Sequence, residues 1–201
     1  MKTILISQKI ESNIHGDLID SLEHNYIKYF ENLGFNVILL PNSTLNLDFY
    51  NNQIEGIVLT GSGDINLENK NLRDELEIKL IQFAYDNEIP LLGICRGSQM
   101  INTYFNGSLA EIENHVRINH QLILSGQFQD IDEDVEVNSY HNYGIFEDIL
   151  SQDLEFFAKT QDGSIEGFKH KTKNILGIMW HPERMDFDNK FNKELIFRLF
   201  I

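Results

Sequence analysis

The feature that most constrains the fold is an apolar run that leads into a glycine-flanked cysteine. Residues Ile89 to Leu92 form an apolar stretch that predicts a buried strand. Gly93 and Gly97 lie two places before and two places after Cys95, which is the only cysteine among the 201 residues. A sharp turn from a strand into a helix needs small residues on both sides, because a Cβ atom would clash where the backbone doubles back. The sequence therefore predicts a strand, a tight turn and a helix, with the thiol at the turn.

A second feature lies near the end of the chain, where His181 and Glu183, separated by a proline, follow a predicted strand. Side chains two apart in extended chain point to the same side, so these two can lie next to each other. A carboxylate beside an imidazole fixes its tautomer and stabilises its charged form. With Cys95 at a helix N-terminus, where a thiolate is stabilised, the pair predicts a Cys-His-Glu triad. A buried structural cysteine and an exposed strand-end pair are the alternative interpretation of the same residues.

These two segments resemble the class I glutamine amidotransferase superfamily. The Cys-Arg-Gly form of the turn and the segment 106–109 are most similar to its free-standing γ-glutamyl hydrolases. The segment 57–64 resembles the family loop that supplies an oxyanion hole, and 137–141 resembles its Asn-Ser-x-His segment, which holds the backbone end of the glutamyl group. The matches occur in the family's order from about Gly56 to Glu183.

The resemblance extends the candidate site beyond the triad. It implies that backbone N–H groups of Arg96, Ser62 and Gly63 form the oxyanion hole. Many members have glycine where this chain has Ser62, which matters only if the backbone there has a positive φ. Gln99 lies one helical turn after Cys95 and can face the same cleft, where the resemblance implies that it holds the glutamyl group. The other implied substrate-binding residues are Ser139, Tyr140 and His141, the last of which also fits a structural role.

The rest of the chain reads as alternating strands and helices. Strands are predicted over 2–7, 36–40, 56–60, 90–94, 121–128, 135–138, 155–160, 165–169 and 174–180. Helices are predicted over 18–33, 71–87, 98–105 and 189–201. This alternation predicts an α/β fold, with a mostly parallel central sheet, helices on both faces and extra antiparallel strands in the second half. We expect a single domain over residues 1–201, as the resemblance implies.

Composition narrows the possible partners. The net charge of −15 argues against nucleic-acid binding, which needs a basic surface. The N-terminal apolar stretch is too short for a membrane segment, so we expect a cytoplasmic protein without membrane contact. A dinucleotide loop beginning at Gly61 lacks its third glycine, so no cofactor is expected. No metal site is expected either, because metal-binding histidine spacings and cysteine pairs are absent from the sequence and His115 and His120 are expected to face solvent.

We therefore expect a cysteine hydrolase that cleaves a γ-glutamyl amide through a thioester and needs no protein partner. The leaving amine stays open. A nucleotide phosphoramidate is one candidate, and the cations that could meet its phosphates are Lys9, Arg73, Arg96 and Arg117. Two other functions compete with this one: a glutaminase subunit that passes ammonia to a separate synthase, and a triad-bearing protein that only binds its ligand.

Overall fold

The computed structural model describes residues 2–128, 134–186 and 188–201. The strands in these ranges are β1 (Thr3–Ile6), β2 (Lys9–Ser12), β3 (Leu18–Ser21), β4 (Asn36–Leu39), β5 (Gly56–Leu59), β6 (Leu91–Ile94), β7 (Ala110–Glu111), β8 (Val116–Gln121), β9 (Ile123–Leu124), β10 (Glu136–Tyr140), β11 (Tyr143–Gly144), β12 (Leu154–Lys159), β13 (Ile165–His170) and β14 (Ile175–Ile178). The α-helices are α1 (His24–Asn32), α2 (Leu72–Asn87), α3 (Arg96–Tyr104) and α4 (Lys190–Phe200). None of these helices is long and apolar enough to cross a membrane.

Eight of the described strands form one central sheet, in the order β4-β1-β5-β6-β14-β13-β12-β9. The first five pair in parallel, and β13, β12 and β9 extend the sheet with antiparallel pairs. The expected α/β fold, mostly parallel with antiparallel strands added in the second half, is confirmed. The remaining described strands form three small two-stranded sheets: β2 with β3, β7 with β11, and β8 with β10.

Alternating side chains of the parallel strands build two apolar layers, one on each face of the sheet. In β5, Val58 packs on the face covered by α1 and α4, whereas Ile57 and Leu59 pack on the face covered by α2 and α3. All three are fully buried. A parallel sheet covered on both faces needs such a continuous apolar run, which is why these strands could be recognised in the sequence.

The strand order places three loops at one edge of the sheet. Strands β5, β6 and β14 are parallel neighbours, and their registers align Leu59 with Gly93 and Ile178 with Ile94. Their carboxyl ends therefore lie side by side, and the segments that leave them begin with Thr60, Cys95 and Met179. In open α/β sheets the carboxyl edge of the strands is where ligands bind.

Two predicted elements differ from the structure. The helix predicted over 18–33 is shorter, because its first part is strand β3, which pairs with β2. The turn between them is built by the Asn13 side chain, which accepts from the N–H groups of His15 and Asp17, and by Gly16 at φ +85°. The strand predicted over 121–128 is reduced to β9, followed by a 3₁₀ turn; positions 129–133 lie outside the described residues. The helices predicted over 71–87, 98–105 and 189–201 are confirmed to within two residues.

The two glycines around Cys95 are required by close backbone approaches. A Cβ atom on Gly97 would lie 2.3 Å from the carbonyl oxygen of Leu59, and one on Gly93 would lie 2.6 Å from the backbone of Gly97. Helix α3 therefore presses its first turn directly onto β5 and β6. The reason inferred from the sequence for both glycines is confirmed.

We expect Gly97→Ala to destabilise the fold. The added methyl group meets backbone atoms of a central strand, which cannot rotate away, so the free energy of unfolding should fall by about 3 kcal/mol or more. Chemical denaturation of Gly97→Ala beside Lys79→Ala, an exposed change on α2, measures this. The control should stay within about 0.5 kcal/mol of wild type. Equal stability of the two variants would contradict the close approach.

Candidate active site

Cys95 occupies a strained turn between β6 and α3. Its backbone has φ +51° and ψ −106°, a conformation that is costly for any residue with a Cβ atom. The strain is held by the surroundings, because the Cys95 N–H donates to the Ile178 carbonyl at 2.7 Å and α3 begins at the next residue. Strain of this kind at a strand-to-helix turn presents a nucleophile to a cleft.

His181 is fixed from two sides. Its Nδ1 lies 2.6 Å from Glu183 Oε1, and both side chains are almost fully buried. The Asn138 side chain also clamps the backbone of His181: its Nδ2 donates to the carbonyl and its Oδ1 accepts from the N–H, each at 2.8 Å. Since a carboxylate only accepts, Nδ1 carries the proton and Nε2 is the atom directed to the cleft. Asn138 is a positioning residue that sequence reasoning missed.

The environment of His181 favours its charged form. Burial alone would lower the pKa of this imidazole, but hydrogen bonds to Cys95 and Glu183, together with their negative charges, outweigh burial and raise the pKa of His181 to about 9. At neutral pH the ring is therefore an imidazolium, which is able to donate a proton.

The loop after β5 contains two consecutive residues with positive φ. Ser62 has φ +76° and Gly63 has φ +78°, so the chain departs from the family pattern at a position where a side chain is strained. The Gly61 N–H donates to the Tyr26 hydroxyl at 2.9 Å and is occupied. A Cβ on Gly61 would lie 2.6 Å from Cε1 of His181, so the loop and the imidazole are in direct contact.

A buried guanidinium holds this loop in place. Arg73 of α2 donates to the carbonyl oxygens of Thr60, Gly61 and Ser62, at 2.7, 3.0 and 2.7 Å. Its Nε donates to Glu77 Oε1 at 2.8 Å. Three carbonyls accepting from one planar group fix the path of the loop, which lysine with its single ammonium could not do.

The Arg96 side chain joins the same network. It forms buried ion pairs with Glu77 and Asp74, both fully buried. The guanidinium therefore points into α2, and only the backbone of Arg96 is left for an oxyanion. Its N–H belongs to the first turn of α3, whose N–H groups have no partner within the helix.

A cavity of about 310 Å³ opens between these elements. It brings together most of the side chains and backbone groups predicted from the sequence. They are Ser62, Gly63, Cys95, Arg96, Gln99, Tyr140, His141 and His181. Four further lining residues were not predicted: Asp64, Asn142, Tyr143 and Arg184. Glu183 lies behind His181 and meets the cavity only through it.

Two predicted substrate-binding residues have other partners in the structure. Ser139 is fully buried and is not among the residues that line the cavity; its Oγ donates to the His115 carbonyl at 2.6 Å, because β10 directs this side chain toward the segment before β8. Gln99 does line the cavity, but its Nε2 donates to the Tyr143 carbonyl at 2.9 Å. The Gln99 side chain thereby holds the opposite wall of the cleft.

Of the four cations considered for a phosphate, none presents a free charge to the cavity. Arg73 and Arg96 are committed to the buried network, while Lys9 and Arg117 are not among the lining residues. The structure instead places Arg184 at the rim, where it bonds Glu23 at 2.9 Å and lies over the Tyr140 ring at 4.9 Å. Arg184 directly follows Glu183 in the sequence. Its position beside a predicted triad residue was the feature that could have indicated that it reaches the cleft.

A second group of polar side chains lies beside the cleft. His115, His141 and Glu166 are buried, and one ligand atom of each lies within 4.8 Å of the others. The expectation that His115 faces solvent is wrong, since it is 1% exposed. These three residues are far apart in the sequence and belong to no recognised metal-binding motif. The lack of such a motif therefore could not show whether they lie together in the fold.

Fold and site together match a known family. The family model for class I glutamine amidotransferases matches residues 14–201, so the chain belongs to this family. The gamma-glutamyl-CDP-amidate hydrolase of Campylobacter jejuni is 38% identical over 144 residues, covering 70% of this chain and 68% of that protein. A glutamine-hydrolysing GMP synthase subunit of Methanosphaera stadtmanae is 31% identical over 163 residues, covering 80% and 82%. A solved glutamine amidotransferase structure from Thermotoga maritima superposes with a TM-score of 0.67 at 19% identity, covering 90% of this chain and 76% of that one.

The environment of His181 predicts a titration that can be measured directly. In ¹⁵N-histidine NMR spectra its midpoint should lie near pH 9, and Cys95→Ser and Glu183→Gln should each lower it by removing a negative partner. Because the folded pKa exceeds the ordinary value of about 6.5, the contribution of His181 to stability is complete below that pH and is lost as the pH rises to about 9. The stability difference between wild type and His181→Gln should shrink over this window. A midpoint near 6.5 would contradict the arrangement.

Proposed function

We propose that this protein hydrolyses a γ-glutamyl amide through a covalent thioester on Cys95. The observation that carries the proposal is the strained Cys95 turn, with its thiol and the Glu183-bound His181 at one cavity. A thiol in such a turn, next to an imidazole held by a carboxylate, is the arrangement that nucleophilic catalysis requires. Family membership supports the chemistry, since class I glutamine amidotransferases act on the side-chain amide of glutamine.

In the first half of the reaction, the Cys95 thiolate attacks the γ-carbonyl carbon of the substrate. The carbonyl oxygen becomes an oxyanion, which accepts from the N–H groups of Arg96, Ser62 and Gly63. Collapse of the tetrahedral intermediate breaks the C–N bond. His181 donates its proton to the departing nitrogen, so a neutral amine leaves and a γ-glutamyl thioester remains on Cys95.

In the second half, water attacks the thioester. The now neutral His181 removes a proton from that water, and Glu183 stabilises the imidazolium that forms again. The C–S bond breaks, glutamate leaves and Cys95 returns as a thiolate. Atoms and charge balance over the two halves with water as the only co-reactant. A thiol nucleophile must stay reduced, so we propose a cytoplasmic location.

For the leaving amine, we propose a nucleotide phosphoramidate, as the name of the Campylobacter relative suggests. Arg184 is the cavity residue suited to meet a phosphate, because its guanidinium lies at the rim and is about a quarter exposed. A phosphate oxygen can accept a charge-assisted hydrogen bond from this guanidinium.

A glutaminase subunit is the second candidate function, and the relative from a GMP synthase favours it. In that role the enzyme would use glutamine and would reach full activity only with an ammonia-accepting partner. The purified chain tested without ATP or a second protein separates the two functions. We expect a higher kcat/KM on bulky γ-glutamyl amides than on glutamine, because a leaving-group site supplies binding energy that ammonia cannot use. A clear preference for glutamine, or activity only with an added protein, would favour the glutaminase role.

Substitutions in the triad test the mechanism. Cys95→Ser and His181→Gln should each lower glutamate release by at least about a thousandfold, because triad members act as a unit. Glu183→Gln should cost less, since Glu183 does not exchange a proton with the substrate. Mass spectrometry of acid-quenched wild type should find the γ-glutamyl adduct on the peptide that contains Cys95. Lys79→Ala, with an exposed side chain away from the cavity, is the control. Near-normal turnover of folded Cys95→Ser would exclude the thioester.

Substitution of Arg184 tests the leaving group. Arg184→Gln should lower kcat/KM by roughly ten- to a hundredfold for a γ-glutamyl nucleotide phosphoramidate, the value of a charge-assisted hydrogen bond. The loss for glutamine should be under about threefold. Arg184 also lies 3.6 Å from Glu183, and an effect transmitted through the triad would lower kcat/KM equally for both substrates. Arg184→Lys should restore part of the loss. Equal losses on the two substrates would remove the phosphate role and leave the hydrolase mechanism intact.

A further inference from the structure

The buried group beside the cleft contains polar atoms that the proposed reaction does not use. Glu166 in β13 is fully buried, and neither of its carboxylate oxygens has a hydrogen-bond partner. His141 Nε2 lies 3.4 Å from Glu166 Oε1, and His115 Nδ1 lies 3.6 Å from the same oxygen. Both ring nitrogens are also without hydrogen-bond partners. Leaving several such atoms unsatisfied in one place is costly, and native structures rarely do so.

The outer contacts of each ring fix where its proton lies. His141 Nδ1 lies 3.0 Å from the Tyr143 carbonyl, and His115 Nε2 lies 2.8 Å from Asp162 Oδ2. A carbonyl and a carboxylate only accept, so these two nitrogens carry the protons. When both rings are neutral, the opposite nitrogens carry lone pairs and lie 3.4 and 3.6 Å from Glu166 Oε1, which is itself a lone-pair donor.

Such a cluster of lone pairs is repulsive unless a proton or a cation lies among the three atoms. A metal cation bound to Glu166 Oε1 and to both ring nitrogens would give each of these atoms a partner. Each histidine also has the outer acceptor that metal-binding histidines almost always have.

We propose that His115, His141 and Glu166 bind a divalent transition metal of the zinc class. Two histidines and one carboxylate are a common zinc ligand set. A tetrahedron with bonds of about 2.1 Å has edges of about 3.4 Å, which agrees with the two nitrogen–oxygen distances of 3.4 and 3.6 Å. The two histidine nitrogens of such a tetrahedron would also lie about 3.4 Å apart, and since the ligand atoms lie within 4.8 Å of one another the rings close by up to about 1.4 Å on binding.

The metal would stabilise the wall of the cleft. His115 precedes β8, His141 follows β10 and Glu166 lies in β13 of the central sheet, so one ion joins the small β8–β10 sheet to the large one. His141 also lines the cavity, and the Tyr143 carbonyl that orients it accepts from Gln99. The site is therefore a positioning site beside the reaction centre, and the proposed hydrolysis has no step that uses the metal.

The test is metal binding by the intact protein. Metal-free Cys95→Ser, chosen so that the triad cannot supply a thiolate ligand, is titrated with Co²⁺ and followed by visible absorption. We expect one Co²⁺ per chain, the intense d–d bands of a low-coordinate site, and full displacement by Zn²⁺. Wild type should give the same spectrum without a sulfur-to-cobalt charge-transfer band. No saturable binding at micromolar Co²⁺ would overturn the proposal, and so would a thiolate band that accounts for all of the bound metal.

Variants identify the ligands. Glu166→Gln and His115→Gln should each weaken binding by at least about a hundredfold, and His15→Gln, an exposed histidine elsewhere, should leave it unchanged. Asp162→Asn changes a half-exposed outer partner that touches no metal, and should cost about ten- to a hundredfold while the chain stays folded. Zn²⁺ should raise the melting temperature of wild type and not of Glu166→Gln. Unchanged binding in the ligand variants would assign the metal to another site.

Discussion

Four buried charges hold the carboxyl edge of the sheet together beside Cys95. Arg73 and Arg96 meet Glu77 and Asp74 with a net charge of zero, and all four side chains are almost fully shielded from water. Removing any one of them would leave an uncompensated charge in the interior, which typically costs several kcal/mol. The network has three anchor points: helix α2, the first turn of α3 and, through Arg73, the carbonyls of the loop after β5. The relative position of the Cys95 turn and the proposed oxyanion loop therefore depends on it.

Two of the seven described non-glycine residues with positive φ lie where this network can support them. Cys95 and Ser62 both have positive φ, and both lie next to a residue that the network holds. Conformations of this kind typically cost 1–3 kcal/mol each and persist only when their surroundings over-determine them. The buried charges and the glycine contacts beneath α3 hold these two backbone conformations in place. Strained backbone at the site is thus accompanied by tightly constrained packing.

The sequence was informative where the physics is local. An apolar run, two glycines and a cysteine define the β6–α3 turn within nine residues. His181 and Glu183 do lie together, but through a 3₁₀ turn over Pro182–Arg184 and not through the extended chain assumed from the sequence. Capping by Asn71, whose side chain accepts from Asp74 N–H, likewise sets the start of α2.

The sequence was uninformative where contacts between distant segments decide the structure. The residues from Leu18 onward have helical spacing, but the first of them form strand β3 because they pair with β2. The direction of Ser139 depends on the segment before β8, and the cluster at Glu166 is drawn from three segments up to 51 positions apart. The two arginines that seemed free to meet a phosphate are buried, because their partners lie on α2. Composition and periodicity carry no information about such pairings.

The clamp on His181 has a mechanical consequence. Asn138 belongs to the small β8–β10 sheet, whereas Cys95 and His181 both follow strands of the central sheet, so the His181 imidazole is tied to two sheets at once. A ligand, an ion or a docking protein that shifted the small sheet would move the imidazole relative to the Cys95 thiol without entering the cleft. The seam between the two sheets is therefore a place where the distance between these two side chains can be altered from outside the cavity.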